Sequence, residues 1–306
     1  MAAISLSLLT LLEKGGRIVA SDRLYGRTAQ VIGQELARFG VQAEWVDATD
    51  PAAVRQALTL PAAVLYVETI SNPLLRVTDL PALADLAHDG GARLVVDNTF
   101  ATPVLARPLE FGADLVIESV TKFIGGHSDV TLGVVCGRDS DVGARVQRLS
   151  SIWGLAANPF DCWLATRGLP TLELRVRAAS ANAAVLADWL VGQRGVARVV
   201  YPGRPDHPDH GLARGLLPEG GGHVLCFELD GGREAVNRFL RRAPGIPLSP
   251  SLGHATTTCS HPVTTSHRFV PPAERQRQGI GDGLVRLSVG VEPLEFVQEA
   301  LHRGLR

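Results

Sequence analysis

The sequence predicts an α/β protein with a mostly parallel sheet, followed by a smaller α+β domain. Short runs of apolar, largely β-branched residues recur at βαβ spacing through the first half of the chain, with helical patterns between them. Because these runs lack polar alternation, they indicate strands that are buried on both faces, as parallel strands are. Beyond a helical stretch at 160–190, strands and helices are fewer and alternate less regularly, which favours an α+β arrangement.

The predicted elements follow one another in a regular order. The first six strands are placed at residues 18–20, 43–46, 63–67, 94–96, 115–117 and 132–135, with helices at 28–39, 52–58 and 80–88. After the stretch 160–190, which is interrupted near residues 168–170, the predicted strands are 196–201, 223–228 and 284–289, and the helices are 233–241 and 294–305. These assignments predict a large domain over residues 1–173 and a small domain over 174–306.

The chain opens on an apolar helical segment that starts at Met1 with no capping residue before it. Helices in compact domains rarely begin without a preceding loop. We therefore expect the first element to be cut, the large domain to be incomplete at its N-terminus, and a longer natural protein to begin upstream.

Composition excludes several classes of partner. The 306 residues carry a net charge of −1 and 20% charged residues, so no basic field favours nucleic acid or an anionic membrane. No apolar run approaches the roughly 18–20 residues of a membrane span, and the start lacks the basic segment of a signal peptide. The four cysteines are widely spaced without a Cys-x-x-Cys pair, which indicates free thiols and a cytoplasmic location.

Lys122 stands out because only it and Lys14 are lysines among 30 basic residues. It follows the predicted strand at 115–117, with two hydroxyl residues just before it and glycines just after. An amine can form a Schiff base with an aldehyde, whereas a guanidinium cannot. A solvated lysine at a strand end is the ordinary alternative, and we favour a catalytic lysine.

Polar residues follow the predicted strands where ligands bind in parallel sheets. Asp97 ends a strand 25 residues before Lys122, about one βα unit. A lysine amine and a carboxylate that keeps a pyridinium nitrogen protonated are what pyridoxal 5'-phosphate (PLP) requires, since the protonated ring acts as an electron sink. A helix cap or turn role remains the alternative for Asp97.

Four further residues at strand ends are candidates for the same site. Ser119 and Thr121 could donate hydroxyl hydrogen bonds to a phosphate, and Tyr25 could stack on a ring and act in proton transfer. Asn72 precedes Pro73, so its backbone is expected to be extended and its amide within reach of a ligand. Strand-end hydroxyls, core packing and an Asn-Pro turn are the respective alternatives.

Arg286 lies inside an apolar predicted strand. A buried guanidinium is costly unless a carboxylate pairs with it, so either an internal salt bridge or a bound amino-acid carboxylate is expected. Two groups rich in histidine, at residues 206–210 and 254–267, lack the spacing of a structural zinc motif, so we predict no metal site.

Four segments together resemble the Cys/Met-metabolism (transsulfuration) family of PLP-dependent enzymes. The segments are residues 67–73, 96–103, 119–129 and 285–292. The similarity runs from Met1 to the C-terminus and implies the type I aminotransferase-like fold, with residues 1–173 as the PLP-binding domain. It also implies a homo-oligomer, a dimer or a homotetramer built as a dimer of dimers, with active sites at subunit interfaces.

The resemblance implies a role for each matched residue. Lys122 would bind the cofactor and carry protons, Asp97 would pair with the pyridine nitrogen, and Tyr25 would stack on the ring. The phosphate would be bound by Ser119, Thr121 and the turn that ends in Met1. The substrate carboxylate would be bound by Arg286, Asn72 and Ser251. Glu68 belongs to a matched segment but receives no catalytic step.

The chain departs from the family pattern at several points. The family's N-terminal arm, whose tyrosine and arginine reach the phosphate of the neighbouring subunit, has no counterpart, and its Ser-Gly-Met turn is represented only by Met1. Arg27 stands where the family usually has a small residue or cysteine, and Thr256 where many members have glutamate. These two changes remove the usual indications for choosing between lyase, synthase and sulfhydrylase.

The expected reaction is elimination or replacement at Cβ or Cγ of a sulfur amino acid or a homoserine ester. We favour a carbon–sulfur lyase of the cystathionine or methionine γ-lyase type over a γ-replacement synthase of the cystathionine γ-synthase or O-acylhomoserine sulfhydrylase type. A catalytically impaired remnant and another PLP enzyme, such as an aminotransferase, are the remaining alternatives.

Overall fold

The computed structural model describes residues 1–306, which form two compact units. The first comprises Met1–Asn72, Val77–Thr121 and Val130–Arg167, and the second comprises Pro73–Arg76, Lys122–Asp129 and Gly168–Arg306. The domain boundary between residues 173 and 174 remains a prediction of the sequence.

A six-stranded sheet forms the centre of the first unit. Its strands are β1 (Arg17–Ser21), β2 (Gln42–Val46), β3 (Val64–Glu68), β4 (Arg93–Asp97), β5 (Leu115–Ser119) and β6 (Gly133–Gly137). Their order is β2-β1-β3-β4-β5-β6, and all neighbours are parallel except β5 and β6. The segment between β5 and β6 contains no helix. Because a parallel connection needs a long crossover, usually helical, the chain returns antiparallel here.

Helices pack on both faces of the central strands of this sheet. The helices of the first unit are α1 (Ala2–Leu11), α2 (Gly26–Gln30), α3 (Pro51–Ala57), α4 (Leu80–Asp89), α5 (Thr102–Leu105), α6 (Ser140–Ile152) and α7 (Pro159–Gly168). Along β3, Leu65 and Val67 pack with α3 and α4, whereas Val64 and Tyr66 pack with α1. Burial on both faces explains why β1, β3, β4 and β5 are continuous apolar runs.

The helix predicted at 28–39 changes its winding along its length. It starts as α2, continues as a π-helical turn at Val31–Glu35 and ends as a 3₁₀ turn at Leu36–Phe39. Gly40 then adopts a φ of 80°, the left-handed conformation that ends many helices.

An antiparallel four-stranded sheet forms the core of the second unit. Its strands are β7 (Val196–Val200), β8 (Val224–Leu229), β9 (Thr258–Ser260) and β10 (Leu284–Ser288), in the order β7-β8-β10-β9. The helices are α8 (Leu172–Val191), α9 (His210–Leu216), α10 (Gly232–Arg242), α11 (Pro272–Arg277) and α12 (Leu294–Leu305). Helices α8, α10 and α12 bury one face of the sheet. No helix in either unit has the length and apolar character that crossing a membrane requires.

Candidate active site

A cavity of about 910 Å³ lies in the first unit, at the ends of β4 and β5. Small-molecule sites have volumes of roughly 300–1,000 Å³. Four of the predicted cofactor residues line this cavity, namely Met1, Asp97, Ser119 and Thr121. The first turn of α1 also faces it, and the N–H groups of a first helical turn have no partner within the helix.

The Asp97 carboxylate is held by Thr99. Its Oδ1 accepts hydrogen bonds from the Thr99 backbone N–H at 3.0 Å and from the Thr99 hydroxyl at 2.6 Å. The same hydroxyl oxygen accepts the backbone N–H of Ser119 at 2.9 Å, so Thr99 links the ends of β4 and β5. Burial raises the pKa of Asp97, against the lowering effect of the Thr99 bonds. A cation placed at this carboxylate would restore its charged form.

The hydroxyls of Ser119, the last residue of β5, and of Thr121 differ in the hydrogen bonds that they make. The Thr121 hydroxyl accepts the Leu132 backbone N–H at 3.0 Å and donates to the Leu132 carbonyl oxygen at 3.2 Å. The Ser119 side chain lines the cavity, while its backbone is fixed through Thr99. Ser119 is therefore the more available donor of the two for a phosphate.

Glu68, to which the sequence reasoning gave no step, organises two predicted site residues. It lies beside Asp97 in the β3–β4 register, and its carboxylate accepts the backbone N–H of Tyr25 at 2.5 Å and that of Asn72. Burial, and then the negative charge of Asp97, hold the pKa of Glu68 well above its usual range. Asn72 is buried, whereas Tyr25 is 43% exposed and leaves its ring free to stack.

We expect Glu68→Gln to change how the stability of the cofactor-free protein depends on pH. A raised carboxyl pKa in the folded state stabilises the protein at low pH, and this contribution is lost as pH rises through the folded-state pKa. The amide cannot ionise but can still accept both N–H groups. Urea unfolding at pH 5 and pH 8 should therefore show the variant losing less stability than the wild type as pH rises, by on the order of 1–2 kcal/mol. Equal losses in the two proteins would show that Glu68 is not the group that titrates.

In the second unit the structure brings together Lys122, Ser251 and Arg286. The Lys122 amine donates to the Ser251 hydroxyl oxygen at 2.7 Å, and the Arg286 guanidinium donates to the Ser251 carbonyl oxygen at 2.9 Å. Burial, assisted by the charge of Arg286, lowers the pKa of Lys122 to about 8. A measurable fraction of the amine is then neutral and nucleophilic near neutral pH.

These residues fit PLP. Lys122 offers an amine with a lowered pKa, and Asp97 is a half-buried carboxylate that lines the cavity of the first unit. Hydroxyls and helix N–H groups, the donors that bind phosphate, line the same cavity as Asp97.

Thr99 and Gly253 are residues that sequence reasoning missed. Thr99 lies in a matched segment, and its position two residues after Asp97 is typical of a side chain that bonds a carboxylate locally. Gly253 has a φ of 76°, and a Cβ there would lie 2.8 Å from the Lys122 Cβ. A glycine two residues after the matched Ser251 was the sequence signal for a close approach of the two backbones.

The chain matches a family of known enzymes over its whole length. The model of the Cys/Met metabolism PLP-dependent enzymes matches residues 1–306. O-succinylhomoserine sulfhydrylase of Pseudomonas aeruginosa is 41% identical over 305 residues, covering 100% of this chain and 75% of that protein. Cystathionine beta-lyase of Bacillus subtilis is 39% identical over 306 residues, covering 100% of this chain and 78% of that protein.

Among solved structures, cystathionine gamma synthase of Xanthomonas oryzae pv. oryzae superposes with a TM-score of 0.96 and 38% identity, over 100% of this chain and 79% of that one. The predictions of fold class, PLP as the family's cofactor and transsulfuration chemistry are confirmed. The chain belongs to the Cys/Met metabolism family of PLP-dependent enzymes.

Proposed function

We propose that this protein is a PLP-dependent carbon–sulfur lyase that acts on a sulfur amino acid of the cystathionine or methionine type. The observation that carries the proposal is the Lys122 amine, whose pKa is lowered to about 8 and which bonds Ser251 next to Arg286. Elimination needs no second organic substrate. The γ-replacement reaction is the second candidate, because the chain is similar to proteins named for either kind of reaction.

PLP, when bound, supplies the electron sink that stabilises negative charge next to the substrate nitrogen. Lys122 removes the proton from Cα and transfers protons between Cα, Cβ and the leaving group. Asp97 would keep a positive charge on the ring nitrogen, and Tyr25 would stack on the ring and assist proton transfer. The hydroxyls of Ser119 and Thr121 and the backbone at Met1 would bind the phosphate.

Arg286, Asn72 and Ser251 bind the carboxylate of the amino-acid substrate. The Arg286 side chain is 2% exposed, and its guanidinium is positioned by the Ser251 carbonyl. A carboxylate is the ligand that forms paired, charge-assisted hydrogen bonds with a guanidinium. Such a ligand also offsets the cost of the buried charge.

Product analysis distinguishes the two candidate reactions. The PLP-loaded protein is incubated with cystathionine, methionine or an O-acylhomoserine, with and without an added thiol. A lyase releases a 2-oxo acid and ammonia without added thiol. A product that appears only with thiol, as a thioether, would replace the lyase proposal with γ-replacement.

We expect Arg286→Met to weaken binding of the substrate carboxylate. Hydrogen bonds to charged groups contribute roughly 1.5–3 kcal/mol, which corresponds to an increase in KM of about 10- to 150-fold. The control substrate is the matching amine that lacks the carboxylate, on which variant and wild type should act equally. If the variant lost activity equally on both substrates, Arg286 would have a role other than carboxylate binding.

We further propose that the protein is a homo-oligomer, a dimer or dimer of dimers. On the first unit, Ile152, Trp153, Phe160 and Trp163 are large apolar side chains that are 54–71% exposed, and the rings of Phe160 and Trp163 stack with 5.8 Å between centroids. Apolar patches of this kind mark protein interfaces. Sedimentation analysis should show an oligomer that Trp163→Arg dissociates. A monomeric wild type would contradict the proposal.

A cytoplasmic location is also proposed. None of the four cysteines forms a disulfide, which is the state expected in a reducing compartment.

A further inference from the structure

The loop that carries Ser251 is bound to the loop that carries Lys122 at several points. In addition to the 2.7 Å bond from the Lys122 amine to Ser251, the Ala255 backbone N–H donates to the Gly126 carbonyl oxygen at 2.9 Å. Between them, Gly253 lies against Lys122 so closely that a Cβ would be 2.8 Å from the Lys122 Cβ. The backbone position of one loop therefore sets the position of the other.

A side-chain pair joins the same two loops. The Ser128 hydroxyl and the His254 Nδ1 are hydrogen-bonded at 2.7 Å. Ser128 has a φ of 60° and is one of three non-glycine residues with a positive φ in the chain. A side chain is held in this conformation only where surrounding contacts fix it, and such positions concentrate at functional sites.

His254 is neutral in this setting. Burial, and then the charge of Lys122, lower the pKa of His254, and Lys122 is the charged group that acts on it. A neutral imidazole can keep its hydrogen bond to Ser128 at neutral pH without a charge that would repel the Lys122 ammonium group.

We propose that Ser128 and His254 are positioning residues that hold the Ser251 hydroxyl against the Lys122 amine. The hydrogen bond between them fixes the loop 251–255 on the loop 122–129, and this fixes Ser251. Because Ser251 also binds Arg286 through its carbonyl, the pair sets the distance between the Arg286 charge and the Lys122 amine as well. The inference extends the role proposed for Lys122 and can be tested without cofactor.

The consequence concerns the protonation of Lys122. Without the pair, the loop 251–255 moves away, water reaches the amine, and Arg286 is no longer held near it. All of these changes favour the charged form, so the pKa of Lys122 rises from about 8 towards that of an exposed lysine.

The experiment is NMR titration of cofactor-free protein with ¹³C-labelled lysine. The chain has two lysines, so two side-chain signals are expected, and Lys14→Arg identifies that of Lys122. Three variants are compared with the wild type. Ser128→Gly removes the hydroxyl and suits the positive φ, His254→Leu removes the ring nitrogens, and His254→Asn keeps a polar atom where Nδ1 lies but removes Nε2. Circular dichroism verifies that each variant is folded.

We expect Ser128→Gly and His254→Leu to raise the pKa of Lys122, whereas His254→Asn leaves it near the wild-type value. At pH 8 the first two should also react with a small aldehyde roughly three- to tenfold more slowly, since less amine is neutral. Unchanged titration in Ser128→Gly and His254→Leu would overturn the inference. A His254→Asn variant that raises the pKa of Lys122 as much as His254→Leu does would also overturn the inference, because the hydrogen bond to Ser128 would then not explain the shift.

The outcome is independent of the proposed reaction. If the wild-type Lys122 titrates near 8 and the variants shift it, the positioning role stands even if the loaded protein proves to be a γ-replacement enzyme. If the wild-type amine titrates as an exposed lysine, the role proposed for Lys122 fails as well.

Discussion

Lys122→Arg is expected to lower kcat/KM for the sulfur amino acid by at least roughly a thousandfold. Arginine preserves the positive charge and most of the length, but its guanidinium stays protonated and cannot attack the cofactor aldehyde. The Lys122 amine, in contrast, has a pKa lowered to about 8 and is available as a nucleophile and as a base. Release of 2-oxo acid by the PLP-loaded variant measures the effect.

Lys14→Arg is the matched control for this variant. Lys14 is exposed and is the other lysine of the chain, so its replacement should leave turnover unchanged. If Lys122→Arg kept more than a tenth of wild-type activity, Lys122 would not be the catalytic amine.

Asp97→Asn is expected to lower kcat roughly 100- to 1,000-fold and to weaken cofactor binding. The amide has the same shape as the carboxylate but lacks the negative charge that would hold a proton on the ring nitrogen. Kinetics with saturating PLP separate the loss in turnover from the loss in binding, which equilibrium dialysis of PLP measures directly.

Variants of Thr99 show whether the orientation of the carboxylate also matters. Thr99→Val removes the hydroxyl that donates to Asp97 at 2.6 Å, and Thr99→Ser retains it. We expect Thr99→Val to lower kcat less than Asp97→Asn does, and Thr99→Ser to keep the wild-type kcat. Full activity in Asp97→Asn would contradict the role proposed for this carboxylate.

Much of the fold could be predicted from local patterns. The apolar runs predicted the six strands of the first sheet within two residues, and β1, β3, β4 and β5 are continuous apolar runs because they are buried on both faces. The last helix, Leu294–Leu305, has the bounds predicted from its amphipathic pattern. The direction of β6 could not be predicted from its residues, since it depends on the absence of a helix in the connection before it.

Other elements were not predicted. Helix α6 has no fully buried residue, although its partly buried Val142, Val146 and Leu149 recur at helical spacing, and β9 is only three residues long. The short helices α9 and α11 also carry few apolar residues for a pattern to reveal.

For the site, too, the sequence indicated residues by their type and position, but not the contacts between distant segments. Lysine scarcity pointed to Lys122, and strand-end position pointed to Asp97, Ser119 and Thr121. The functions of Glu68 and His254 depend instead on contacts between segments that are distant in sequence. A glutamate at the end of a buried strand is visible in the sequence, but the two N–H groups that it accepts are not.

Reconstitution with PLP, followed by borohydride reduction and peptide mapping, tests the central claim most directly. We predict a yellow protein whose visible absorption disappears on reduction, with the cofactor fixed on the peptide that contains Lys122. A folded protein that develops no visible absorption, or that carries the reduced cofactor on the peptide of Lys14, would contradict the assignment of Lys122 as the cofactor-binding residue.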